Sequence, residues 1–155
     1  MDKQLNELKK LFGEYGKIET LEHSSSATVY KFSCDSRELF KKEDLLSHLG
    51  TLRFVLLTRQ NNECFIYCFR LGTKEGVEKH ILKIVNNVNS SLTYGKYILD
   101  SDGDINWEYK FDIDCITKDD VYEILCVFME SLLNFAVQVN KTKLKIKREF
   151  QENDE

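Results

Sequence analysis

The stretch from Val77 to Ile113 leaves this chain few choices of fold. Apolar residues fall at Val77, Ile81, Ile84, Val85, Val88 and Leu92, with Glu78, Lys79, Lys83, Asn86, Asn87 and Asn89 between them. That 3.6-residue period predicts a helix with one buried stripe. Thr73 is placed to cap it, and Glu75 sits in its first turn, where the helix dipole favours a carboxylate. A strand from Tyr94 to Leu99 follows. From Ile105 the residues alternate: Ile105, Trp107, Tyr109, Phe111 and Ile113 point one way, and Asn106, Glu108, Lys110 and Asp112 the other. Between the strands lies Asp100-Ser101-Asp102-Gly103-Asp104, whose Asp-Gly pair is a strong hairpin signal.

A sheet that is wet on one face and covered by helices on the other needs a core, and 155 residues supply one domain's worth. No apolar run reaches the roughly 18–20 residues of a membrane span, and the first residues lack a signal peptide's apolar core. Five cysteines at irregular spacing predict reduced thiols in place of a disulfide framework, so the expected compartment is the cytoplasm. The absence of proline, the two alanines and the abundance of Asn, Lys, Ile and Phe suggest an AT-rich genome, bacterial or phage. Net charge is −4, distributed as −1 over residues 1–50, +3 over 51–100 and −6 over 101–155. A mildly acidic chain without a basic stripe argues against direct nucleic-acid binding.

The remaining elements read as support. A first helix is expected over Lys3–Tyr15, burying Leu5, Leu8, Leu11, Phe12 and Tyr15 and stopped by Gly13 and Gly16. A short extended piece, Lys17–Glu22, leads into a turn at His23-Ser24-Ser25-Ser26, then a strand from Ala27 to Cys34. Asp35–Leu49 suggests a helix with a ragged stripe, because Asp35 and Glu38 approach a capping box. Phe54–Arg59 and Cys64–Leu71 flank the connection Gln60-Asn61-Asn62-Glu63 as a hairpin. The last helix opens on the capping box Thr117–Asp120 and is expected to run to about Val139. From Lys141 the chain is basic, then acidic, without a core pattern. The expectation is a domain of residues 1–140 and a disordered charged tail, 141–155.

Chemistry-bearing residues do not converge in the sequence. Cys64 and Cys68 lie four residues apart on one strand, about 13 Å, too far for a disulfide or a shared ion. Asp100, Asp102, Asp104 and Glu108 fail the calcium-loop pattern, since Ile105 and Phe111 stand where Gly and Glu are required. His23, His48 and His80 are scattered. The Ser24–Ser26 run and Cys34 lack a nucleophile elbow, and Gly72 and Gly76 do not begin a phosphate loop. Asn86, Asn87 and Asn89 form a polar helix face. The basic run 141–148 reads as solvated, since Phe150 alone offers little stacking to RNA. No catalytic residue, cofactor or metal is expected.

The last helix carries two apolar faces. Val121, Ile124, Leu125, Phe128, Leu132, Phe135 and Val139 make one, and Tyr122, Cys126, Met129, Leu133 and Val137 make a second beside it. A helix lying on a sheet needs only the first. The second is either sandwiched between the sheet and the first helix, or is the interface for a homodimer or a protein partner.

The segments Ile84-Val85-Asn86-Asn87-Val88-Asn89, Tyr94-Gly95-Lys96-Tyr97-Ile98-Leu99-Asp100, Asp102-Gly103-Asp104-Ile105 and Tyr109-Lys110-Phe111 resemble the YbjN family, described as bacterial sensory transduction regulators, over residues 53–139. The family is similar in fold to the type III secretion chaperones. The resemblance implies a helix, three antiparallel strands, a helix, two strands and a final helix, commonly dimeric, with a binding or chaperone-like role and no catalytic residues. The piece Asp35–Leu49 departs from that order.

The expected architecture is therefore α+β: an antiparallel sheet of about five strands, helices packed mainly on one face and the other partly open. The expected function is a non-enzymatic cytoplasmic protein-binding module, chaperone-like or regulatory and dimeric. A small acidic inhibitor of a host protein complex, of the phage anti-defence kind, is the alternative within binding. A small-ligand sensor or enzyme with an unrecognised pocket is the alternative from another class.

Overall fold

The computed structural model describes residues 2–71, 74 and 76–153. Its elements are α1 (Asp2–Phe12), β1 (Lys17–His23), β2 (Ala27–Asp35), α2 (Ser36–Leu39), β3 (Thr51–Arg59), β4 (Glu63–Cys68), α3 (Ile81–Ser90), β5 (Lys96–Leu99), β6 (Ile105–Asp112) and α4 (Lys118–Asn153). Short 3-10 turns occupy Leu45–Leu49, Glu78–His80 and Ile113–Cys115. The strands form one antiparallel sheet in the order β1-β2-β3-β4-β6-β5. The protein is α+β as expected, with six strands instead of about five and four of them before α3 instead of three. The additional strand is β1. It buries only Ile18, so periodicity cannot reveal it; pairing with β2 makes it a strand.

Period-two alternation decides which side chains face the helices. Tyr30, Phe32, Phe54, Leu56, Ile66 and Trp107 point inward and are buried. They meet Leu8, Phe12, Ile84, Val88, Leu125 and Phe128, buried residues of the helices, in one hydrophobic core. Rings dominate its centre: Trp107 and Phe128 are 4.4 Å apart, and Phe54 stands edge-on to Phe128 at 5.4 Å. Such aromatic pairs contribute about 0.5–1.5 kcal/mol beyond their burial. Tyr97 and Ser131, joined hydroxyl to hydroxyl, are the buried polar link between β5 and α4. Among the described residues, no helix is long and apolar enough to cross a membrane.

Local sequence logic holds at the expected points. Asp100 caps its hairpin: its carboxylate accepts from the Asp102 and Asp104 amides and from Asn106 Nδ2, while Gly103 takes φ +80°. The Thr117–Asp120 box closes reciprocally, Thr117 N donating to Asp120 Oδ2 at 2.8 Å and Asp120 N to Thr117 Oγ1 at 3.2 Å. Gly95, at φ +75°, lets the chain pass under Trp107: a Cβ there would lie 2.3 Å from the Glu108 carbonyl oxygen. That approach lets Trp107 Nε1 donate to the Tyr94 carbonyl at 3.1 Å. Thr73 and Glu75, expected to begin α3, lie outside the described residues, as does Gly72.

Three expectations are corrected. Asp35–Leu49 is no continuous helix: Asp35 caps only the four-residue α2, and Phe40 returns to extended backbone. Ser36 Oγ donates to the Ser47 carbonyl and accepts from Gly50 N, which closes the segment into a pinned loop. The strand expected to Leu71 ends at Cys68, because Arg70 adopts φ +57° and its amide turns to Asn106 Oδ1. Finally, the tail expected to be disordered is helical to Asn153. Lys, Leu, Arg, Gln and Glu are good helix formers, and Ile146 packs against the core.

Candidate functional site

β4 is apolar on both faces. Cys64, Ile66 and Cys68 point inward and are buried, and Phe65 and Tyr67 point outward, with Phe69 continuing the row just past the strand end. The three rings stack in a ladder, Phe65 to Tyr67 at 6.2 Å and Tyr67 to Phe69 at 5.4 Å, each pair inclined by 12°. Register places Leu57 beside Phe65 and Val55 beside Tyr67 on β3, with Val29 beside Leu57 on β2. All are half-buried except Phe69, which is 50% exposed, and among the described residues no helix covers them.

Charge frames the ladder. The Arg59 guanidinium lies 5.4 Å and Lys110 Nζ 5.7 Å from the Phe65 ring centre. Lys110 is also held by Glu63 at 2.8 Å, which keeps the Glu63 carboxyl below its usual range. Among the described residues, Lys31, Arg53 and Arg59 hold no salt bridge. Glu108 stands opposite Tyr67, and burial, then that carboxylate, pushes the Tyr67 phenol up. The face is an apolar, aromatic strip with cations along it and carboxylates at one flank.

Sequence reasoning overlooked this ladder. The signal was present in Cys64-Phe65-Ile66-Tyr67-Cys68-Phe69, where apolar residues occupy both registers of a strand in a sheet expected to be wet on one face.

The five residues expected at an interface separate. Met129 is fully buried within the chain's own core, a correction; α1 and the Leu45–Leu49 turn both pack on α4. Cys126 and Leu133 are half-buried, whereas Tyr122 is 39% and Val137 47% exposed. Tyr122 packs on Tyr15 at 5.5 Å, and the Tyr15 hydroxyl donates to the Lys118 carbonyl.

The polar candidates are used locally. His23 Nδ1 bonds Thr28 Oγ1 at 2.7 Å beside a shallow cavity of about 260 Å³ lined by Gln4, Ser24, Thr58 and Gln60. Gln4 Oε1 there accepts from Tyr30 and Thr58. His48 and His80 lie in separate 3-10 turns. Asn89 has a structural part: Tyr97 N donates to its Oδ1 at 2.7 Å and its Nδ2 donates to the Tyr97 carbonyl at 2.9 Å. Its carboxamide thus takes the place of a neighbouring strand along the β5 edge. Cys34, Cys64 and Cys68 are buried free thiols; burial pushes Cys34 and Cys68 up to about 12, and Cys64 up as well. Among the described residues, no group of three or more His, Cys, Asp or Glu is placed to hold a metal ion.

No curated protein and no solved structure matches the chain. A family model does, that of YbjN, "Putative bacterial sensory transduction regulator", over residues 42–139. The matched span takes in β3, the ladder on β4, the Asn89 bridge, the Gly95 passage beneath Trp107, the Asp100 hairpin and the buried length of α4. With more than half of its residues inside that match, the chain belongs to the YbjN family.

Proposed function

We propose that this protein is a non-enzymatic regulatory module that binds an extended, apolar polypeptide segment across the open face of its sheet. The observation that carries this reading is the ladder of Phe65, Tyr67 and Phe69 on the face that no helix covers. A sheet stabilised from one side asks for polar residues on the other, and exposed aromatic strips of this kind mark contact sites. Rings supply contact area at little cost in side-chain entropy. Val29, Val55 and Leu57 widen the strip, and Arg53 and Arg59 suit a segment with acidic residues beside its apolar ones. Glu63 and Glu108 at the flank disfavour a run of phosphates. Membership of a family described as a transduction regulator supports a binding role over catalysis.

The test is fluorescence anisotropy with labelled peptides that alternate aromatic and acidic residues, alongside a labelled single-stranded oligothymidine. Peptide binding is expected, weakened about tenfold or more by Tyr67→Ser or Phe69→Ser, as befits a central aromatic anchor. Preference for the oligonucleotide, or peptide binding indifferent to both substitutions, would overturn the reading.

A further inference from the structure

We infer that the cleft between α3 and the C-terminal half of α4 binds a small nucleoside phosphate. This does not rest on the aromatic ladder, which lies on the other side of the sheet. Lys83, Ile84 and Asn87 share one face of α3, and Gln138, Lys141, Lys145 and Ile146 share one face of α4, by the helical spacing of three and four. The two faces line a cavity of about 210 Å³. Pockets for drug-sized ligands run from about 300 to 1,000 Å³, so this one is sized for a small molecule. Ile84 is buried and Ile146 half-buried, an apolar floor, while Lys83, Lys141 and Lys145 are exposed at the rim.

The charge of the cleft runs against that of the protein. Three lysines and His80 stand there against one carboxylate, Glu149, in a chain whose net charge is −4. Among the described residues the three amines hold no salt bridge. The helix itself does not account for them. Lys141 and Lys145 are like charges four apart, which destabilises a helix, and they stand well before Asn153, out of reach of the dipole in the last turn. An anion between them removes that repulsion. Phosphate suits the set, because lysine is a point charge with freely turning donors, whereas a planar carboxylate is best held by the fork of an arginine. Among the described residues no arginine lines the cavity. Of Asn87 and Gln138 the backbone carbonyls accept from Ser90 and Thr142, which leaves both carboxamides to offer a donor and an acceptor to the edge of a nucleobase. The isoleucine floor receives the face of such a base, and a sugar phosphate, polar all round, would gain nothing from it. Lys141, Lys145 and Ile146 lie beyond the family-matched residues, so the cleft is a property of this chain.

The full chain is titrated calorimetrically with ADP, GDP, CDP and UDP, and with inorganic phosphate and ribose 5-phosphate, with circular dichroism to confirm folding of each variant. At least one of the four nucleotides is expected to bind with a micromolar Kd, and phosphate and ribose 5-phosphate about tenfold more weakly or worse. Lys141→Gln with Lys145→Gln, both at exposed sites, should weaken nucleotide binding about tenfold or more, since charge-assisted contacts are lost. Asn87→Ala should lower nucleotide affinity and leave that for inorganic phosphate unchanged. Lys9→Gln with Lys147→Gln removes the same charge away from the cleft and should leave nucleotide affinity as it is. No heat from any of the four nucleotides at millimolar concentration, phosphate or ribose 5-phosphate binding as tightly as the best of them, indifference to Asn87→Ala, or an equal loss in the two lysine pairs would each overturn the proposal.

Discussion

Along β4 the inward side chains are Cys64, Ile66 and Cys68, and the outward row is Phe65, Tyr67 and Phe69, so the larger residues stand on the uncovered side. The inward choice has a packing reason. Cys68 is registered against Trp107 and Cys64 against Phe111, and small side chains opposite large ones let Trp107 reach Phe54 and Phe128 and Phe111 reach Phe12. The outward choice has no such reason within the chain. The two faces thus divide labour: the inner one specifies the fold, and the outer one is free to specify a contact. The two edges differ in the same spirit. β5 is closed by the Asn89 carboxamide, whereas β1 is blunted by a bulge between Thr20 and Glu22 and by the charges of Lys17, Glu19 and Glu22, which leaves neither edge as a flat template for strand addition.

The sharpest way to break the comparison is to truncate one ring on each face. Trp107→Ala should cost about 3–5 kcal/mol in urea denaturation, the range for a fully buried aromatic. Tyr67→Ala should cost well under half of that, since its ring is covered only by neighbours on its own face. Comparable losses would mean that the ladder is structural after all.

Asn89→Ala should cost about 1–3 kcal/mol, because Tyr97 N and its carbonyl both lose their partner. Hydrogen exchange at the Tyr97 amide should speed up far more than at the Leu56 amide in the centre of the sheet. Equal acceleration at both would show global loosening in place of an opened edge.

Labelling with a small maleimide sharpens the contrast without a mutation. Cys115 is exposed and should react first, Cys126 more slowly, and Cys34, Cys64 and Cys68 only on unfolding. Early reaction of any inner-face thiol would show that the β4 core is not closed.

The faces should also answer pH in opposite directions. Burial raises the thiols of Cys34 and Cys68 from their ordinary value of 9.0 to about 12. Above about 9 the unfolded chain releases protons that the folded one keeps, so stability present below that value is lost as pH rises toward 12. On the acid side, hydrogen bonds from Asn106 and the Asp104 amide hold Asp100 below its usual range, and Lys110 does the same for Glu63. Their contribution is present above the ordinary carboxylate range and lost as pH falls through the lowered values. It should be the smaller of the two effects, because both groups are solvent-screened. Thermal melts from acid to alkaline pH check both, and stability that rises above pH 9 would contradict the burial of the thiols.

Local rules sufficed wherever a residue's partner lies within a few positions. The period of α3, the Asp100 turn and the Thr117–Asp120 cap are short-range chemistry, and each is readable from neighbouring letters. The second stripe of α4 was legible for the same reason, as a count of apolar positions on a helix. What covers each stripe was not. Met129 is in the core and Val137 is 47% exposed on the same helix, onto which α1 and the Leu45–Leu49 turn pack from far along the chain. The helix beyond Lys141 depends on Ile146 finding the core, and β1 depends on β2. On β4, alternation determined that two apolar rows exist, but which row the helices cover is decided by how distant segments pack, since either face could have been the inner one. The sequence by itself determined the strongly periodic elements, their faces and the capped turns between them; the tertiary structure decided β1, the length of α4 and which faces remained open, because pairing and burial are properties of what else the chain brings to the same place.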